Sequence, residues 1–140
     1  MKQALAMLVL VIIALGTGYL VFGYEAMLMI AYGAISIMAM MISATFLWLW
    51  FERTTPLALG MAYSWAGTGL ITGWWWWVKL MGSPAWVRGH PGIFGVLGLC
   101  FVGAVLHFAV IHRSFGYHGA IFVWPIAVAI GLSAWIYVIL

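Results

Sequence analysis

Long apolar runs separated by short polar clusters make up this chain. A helix that crosses a membrane needs about 20 mostly apolar residues. Runs of that kind lie at 4–23, 26–50, 57–78, 92–111 and 119–140. The pattern predicts an all-α fold, a polytopic integral membrane helix bundle of about five transmembrane helices that forms one transmembrane domain over residues 1–140. Four spans are the alternative, if the first two runs are wrongly divided or one segment is re-entrant.

The polar clusters between the runs predict the connections. Only residues 23–25 separate the first two runs, which predicts a tight helical hairpin. Pro56 follows a charged cluster, and proline is favoured in the first turn of a helix. Residues 79–91 combine charges with glycine and proline, which predicts a loop outside the bilayer. Pro125 predicts a kink in the fifth helix, because it removes a backbone donor.

The composition excludes an ordinary water-soluble domain. Hydrophobic residues make up 68% of the chain and charged residues 5%, whereas a soluble domain has about 25% charged residues. The expected partners are therefore the lipid bilayer and other membrane subunits. The net charge of +3 comes from five dispersed basic residues, so we expect no binding to nucleic acid. A single cysteine, Cys100, excludes an internal disulfide.

The basic residues give the expected orientation. With five spans, Lys2, Arg53 and Arg113 lie on one side of the membrane and Lys79 and Arg88 on the other. Because cytoplasmic loops carry the excess of Lys and Arg, this distribution favours a cytoplasmic N-terminus by one charge. The predicted location is the inner membrane of a bacterium.

Histidines are the main candidates for chemistry. An imidazole inside a membrane is costly without a partner, and it is a common axial ligand of haem. His107 lies in the fourth run, while His112 is rotated from it by about 140° on an ideal helix. His118 begins the fifth run on the side of His107, so these two could ligate a haem. Arg113 and the Ser114 hydroxyl could hydrogen-bond a quinone carbonyl.

The candidate cofactor-binding residues are therefore His107, His112, His118 and Arg113, for haem, a quinone or a pigment. The alternative for each histidine is a hydrogen-bonded side chain near the membrane interface. The sequence contains no separated carboxylate pair within a run and no activated nucleophile. We therefore predict no catalytic residues and no metal site.

Small and aromatic residues indicate packing surfaces. Helices in lipid associate where small residues allow close approach, and tryptophan favours both the membrane interface and buried protein contacts. The predicted packing residues are Gly69, Gly73, Gly92, Gly95, Gly98, Trp74, Trp75, Trp76 and Trp77. Ala127 and Gly131 repeat the four-residue spacing in the fifth run. The contacts could lie within the chain or against another subunit.

The preferred function is a small, Trp-rich, non-catalytic accessory subunit of a larger membrane complex, one that works in electron transport or another energy-transducing process. A haem-, quinone- or pigment-binding membrane anchor that uses the histidines is the second hypothesis. An oligomeric small transporter or channel is the third, with a pore assembled between chains. Hydroxyls but no charge are available for it, from Ser36, Ser43, Thr45, Ser64, Thr68 and Thr72.

Overall fold

The structure, a computed structural model, describes residues 2–116 and 119–139, which are almost entirely helical. Its helices are α1 (Lys2–Phe22), α2 (Tyr24–Arg53), α3 (Pro56–Leu80), α4 (Gly92–Ser114) and α5 (Trp124–Ile139). A 3-10 turn, Ala120–Val123, precedes α5. No strand occurs within the described ranges. The predictions of an all-α fold and of five helices are confirmed.

Among the described residues, four segments are long and apolar enough to cross a membrane: α1, α2, α4 and the 20 residues Ala120–Ile139. The remaining helix, α3, has 25 residues, but its glycines, hydroxyls and four consecutive tryptophans make it less apolar. It also contains more buried positions than any other described helix. Because α2 and α4 both pack against α3, its Ser64, Thr68 and Thr72 hydroxyls are partly buried.

Two serine hydroxyls join α2 to α3. The Ser36 hydroxyl donates to the carbonyl of Gly69 (2.7 Å), and the Ser43 hydroxyl donates to the carbonyl of Ala62 (2.8 Å). Both serines are buried. The pairs run in opposite directions along the two helices, so α2 and α3 are antiparallel. A hydroxyl that bonds across two helices stabilises their packing by about 0.6–2 kcal/mol.

Removing these hydroxyls should therefore loosen the pair. We expect the double variant Ser36→Ala, Ser43→Ala to lose about 1–4 kcal/mol of unfolding free energy, twice the effect of one such bond. The control is Thr45→Ala, since the Thr45 hydroxyl donates only to Met41 of its own helix. Denaturant titration of the purified protein in mixed micelles measures the difference. Equal stability of the two variants would contradict the assigned bonds.

The packing of α3 on α4 depends on glycine. A Cβ atom placed on Gly103 would lie 2.6 Å from the Ser64 backbone nitrogen, and one placed on Gly67 would lie 2.8 Å from the Cys100 nitrogen. Gly60 meets α4 in the same way, one turn before Ser64. Contacts that lie later along α3 involve residues that lie earlier along α4, so this pair is also antiparallel. The backbones of α3 and α4 are in contact.

The first two helices meet at a joint. Gly23 alone connects α1 to α2, with a φ of 81°, a value that glycine adopts without a steric penalty. Gly18 lies against the Met27 side chain next to this joint, and no described residue of α1 is buried. The short connection that the sequence predicts is present as the single residue Gly23, whereas most of the surface of α1 is open.

The last helix is also open. No residue of α5 is buried. Pro125 is its second residue, where the missing N–H would have had no partner in the helix. The irregular backbone lies just before Pro125, in the 3-10 turn, and the kink stays a prediction. Pro56 occupies the first turn of α3 as predicted.

The connection between α3 and α4 folds back onto the core. Lys79 belongs to α3, so the connection is shorter than the expected 79–91. Val87 in this connection is only 3% exposed. Nearby, the Lys79 ammonium lies 3.5 Å from a Glu25 carboxylate oxygen, so the start of α2 and the end of α3 lie at the same end of the bundle. Arg53 ends α2 and belongs to the opposite end.

Candidate cofactor site at His107

The imidazole of His107 lies between α3 and α4. His107 is half-buried and stands seven residues before the end of α4 at Ser114, a distance of about 10 Å along the helix. The helix continues three residues beyond the predicted run, to Ser114. Its ring points towards α3, at the level of Met61 and Ser64.

Three groups surround the two ring nitrogens. His107 Nδ1 lies 2.9 Å from the Gly103 carbonyl oxygen and 3.3 Å from the Ser64 hydroxyl oxygen. His107 Nε2 lies 2.6 Å from the Met61 sulfur. The carbonyl and the thioether can only accept a hydrogen bond, whereas the hydroxyl can donate or accept. Both nitrogens therefore face an acceptor.

The neutral ring has a single N–H, and the acceptors compete for it. A backbone carbonyl is a strong acceptor and a thioether a weak one, so we assign the proton to Nδ1, which donates to Gly103. The Ser64 hydroxyl oxygen, at 3.3 Å, accepts a second and weaker hydrogen bond from the same N–H. This leaves the lone pair of Nε2 facing Met61. A ligating histidine usually has this arrangement, with the other ring N–H held by a carbonyl or carboxylate.

The tautomer can be measured. With ¹⁵N-labelled histidine, two-bond ¹H–¹⁵N correlation spectra of the neutral His107 ring should show a protonated Nδ1 and an unprotonated Nε2. Met61→Leu removes the sulfur but keeps the Gly103 carbonyl, so the same tautomer is expected in this variant. His107→Gln identifies the signals by their disappearance. A neutral ring protonated at Nε2 would contradict the assignment.

The space around Nε2 limits what it can bind. The backbones of α3 and α4 touch at Ser64 and Gly103, one turn from His107. A flat macrocycle inserted between Nε2 and Met61 would have to separate the two helices at this point. Within residues 2–116 and 119–139, no group of three or more His, Cys, Asp or Glu residues could hold a metal ion. The cofactor role of His107 stays a prediction.

The other candidate residues lie elsewhere. His112, in the last turn of α4, packs on Phe122 with ring centroids 6.1 Å apart, so it does not share the face of His107, as the helical rotation predicts. Arg113 is exposed, and the Ser114 hydroxyl donates back to the Ile111 carbonyl (2.7 Å). His118 lies outside the described residues, so its predicted pairing with His107 stays a prediction.

The four consecutive tryptophans point in different directions. Trp74 packs on His90 with ring centroids 6.0 Å apart. Trp76 lies over Gly33 of α2, where a Cβ atom would come within 2.8 Å of the indole. Trp75 and Trp77 are more than half exposed. Alternate rings of this run thus face protein and the surroundings.

Some of the predicted packing glycines contact other parts of the protein, and others are open to the surroundings. Gly69 and Gly73 face Ser36 of α2 and belong to the core, whereas Gly92 lies against the side chain of His90 in the preceding connection. No heavy atom lies within 4 Å of a Cβ placed on Gly95 or Gly98. These two positions are therefore open for a contact with another chain.

Sequence reasoning missed the small residues that hold α4. Gly60, Ser64 and Gly67 follow a spacing of four and three, and Gly103 precedes His107 by one turn. This spacing is the signal that could have found them, because residues three and four apart share a helix face.

Comparison of the chain with protein-family models, with curated proteins and with solved structures finds no match.

Proposed function

We propose that the chain is a small integral membrane subunit without catalysis of its own, an accessory or structural component of a larger, energy-transducing membrane complex in a bacterial inner membrane. The main support for this proposal is that α1 and α5 are strongly apolar and contain no buried residue. Lipid covers part of such a surface, and partner helices cover the rest.

Open small residues favour helical partners over lipid alone. A Cβ atom placed on Gly95 or Gly98 of α4, or on Gly131 of α5, would have no heavy atom within 4 Å. Small residues let two helices approach closely, which supplies the packing energy of helix association in lipid. Glycine gives a helix no benefit against lipid and lowers its stability relative to alanine. The open glycines therefore support contacts with partner helices at these positions.

The hydroxyls of the core support a structural role over a channel. Ser36 and Ser43 donate to carbonyls of α3, while Thr68 and Thr72 donate to carbonyls one turn earlier in their own helix. Their hydrogen-bonding capacity is used within the protein. A polar path through an assembly of copies would need hydroxyls that face outward, and Ser36 and Ser43 are buried.

Cofactor binding is the second candidate function. It is favoured by the orientation of His107, whose Nδ1 is held by the Gly103 carbonyl so that the Nε2 lone pair is free to act as a ligand. A haem or a pigment whose metal ion is held by Nε2 would require α3 to move relative to α4, and a quinone carbonyl would need a donor other than Nε2. Visible absorption that depends on His107 would support this function.

Photo-crosslinking in native membranes tests the first function. A diazirine amino acid is placed at Tyr137 of α5 and at Leu20 of α1, which are 86% and 81% exposed. We expect crosslinks to other membrane proteins at one or both positions. The control position is Val78, which is 3% exposed and should crosslink only within the chain. Lipid adducts and self-crosslinks alone at both exposed positions would contradict the proposal.

A further inference from the structure

An apolar groove opens on the side of the three-helix core. Trp74 and Trp77 of α3 and Val96 of α4 line the groove, and Trp86 and Val87 of the connection line its mouth next to Trp77. The volume of the groove is about 440 Å³. The exposed faces of Trp77 and Trp86 are accessible from outside.

The groove is elongated along α3. It extends from Trp77 at the end of the bundle to Gly69 near the middle of the helix, which is about 12 Å at 1.5 Å per residue. The end near Gly69 is lined by Ser36 and Met40 of α2. Because the Ser36 hydroxyl already donates to the Gly69 carbonyl, it offers no free donor there. A flexible hydrocarbon chain fits this shape and chemistry.

A cation lies beside the mouth of the groove. Arg88 directly follows Val87 and is exposed. The chain has two acids: Glu25 pairs with Lys79 at this end of the bundle, and Glu52 belongs to the opposite end of α2. No ion pair of Arg88 occurs among the described residues. Arg88 is therefore an exposed cation with no acidic partner among the described residues, and it lies one residue along the chain from the groove lining.

We propose that this groove binds one acyl chain of an anionic glycerophospholipid, whose phosphate contacts Arg88. The exposed indole of Trp86 offers a second donor at the mouth. An anionic headgroup leaves a net negative charge for Arg88, whereas a zwitterionic headgroup carries its own cation. Basic groups beside helices bind anionic headgroups in this way. The inference rests on the membrane location in the proposed function, but not on a partner subunit.

Competition between two lipids tests the headgroup contact. The full chain in detergent is mixed with equal amounts of phosphatidylglycerol and phosphatidylcholine that have the same acyl chains, and bound lipid is counted by native mass spectrometry. We expect preferential retention of phosphatidylglycerol. Arg88→Gln should lower the ratio of bound phosphatidylglycerol to bound phosphatidylcholine by about fivefold, which is the effect expected from one cation near anionic lipid. Arg53→Gln removes the same charge at the other end of the bundle and should leave the ratio unchanged.

A second pair of variants tests the groove itself. Val96→Phe and Leu70→Phe place a larger side chain in the groove and should lower retention of both lipids, with unchanged helical circular dichroism. An unchanged ratio in Arg88→Gln, or an equal loss in Arg53→Gln, would overturn the headgroup contact. Full retention in both groove variants would overturn the acyl-chain site. Because no partner subunit takes part, these outcomes are distinct from failure of the crosslinking experiment.

Discussion

Replacing Gly103 with leucine should push α4 away from α3 and strongly destabilise the core. A Cβ atom at this position would meet the backbone and hydroxyl of Ser64, and a backbone cannot move aside as a flexible side chain can. We expect a loss of about 3 kcal/mol of unfolding free energy, the upper part of the usual range for overpacking. The His107 ring, which bonds to the Gly103 carbonyl, should lose its fixed orientation at the same time.

The matched control is Gly95→Leu on the same helix. No heavy atom lies within 4 Å of a Cβ placed there, so the isolated chain should keep its stability. Denaturant titration in mixed micelles compares both variants with the unsubstituted protein. If the Gly103→Leu variant were as stable as the Gly95→Leu variant, α3 and α4 would not pack through the contact of Gly103 with Ser64.

The second large effect is expected at Gly131 of α5. Gly131→Leu fills the small surface that α5 leaves open, and a leucine there should hold a partner helix away. If overpacking at the contact costs about 1.4 kcal/mol or more, the affinity for the partner falls about tenfold or more. We therefore expect the yield of co-purified partners to fall at least about tenfold, while the stability of the isolated chain stays the same.

The control for Gly131→Leu is Leu132→Phe, the next residue, which is 54% exposed and lies about 100° around the helix. It adds bulk on another face and should leave the partner yield largely unchanged. Both yields are measured by quantitative mass spectrometry of tagged protein from native membranes. Full partner recovery with Gly131→Leu would exclude this face of α5 as the contact surface.

The apolar runs predicted the helices because length and hydropathy decide where a bilayer-sized helix can form. They did not show which helix is central. The structure places α3 between α2 and α4, and this helix has the most mixed composition of the five. Central position and lower hydropathy go together, because a helix covered by other helices does not need a fully apolar surface.

The pairings of the helices could not be predicted from local pattern. Gly69 and Gly73 were expected to pack, but Gly67 and Gly103 were not, although all four meet another helix. A glycine permits close approach of another helix at its own position. Which glycines of a helix are used for packing depends on partners that are distant in sequence.

The same reason limits the prediction of the site. His107 was identified because an imidazole in an apolar run requires a partner. Its contact with Met61 joins residues 46 positions apart, and that pairing depends on the register between α3 and α4. The Gly103 carbonyl, one turn before His107 on the same helix, is the one partner that local spacing could have indicated.

The most direct test of the central claim is purification of the tagged chain from its native membrane in mild detergent, with mass spectrometry of its companions and an absorption spectrum of the same sample. A membrane subunit of a larger complex predicts other membrane proteins in fixed stoichiometry, together with any cofactors they carry. A colourless homo-oligomer without companions would contradict the proposed function and bring an oligomeric transporter or channel to the front.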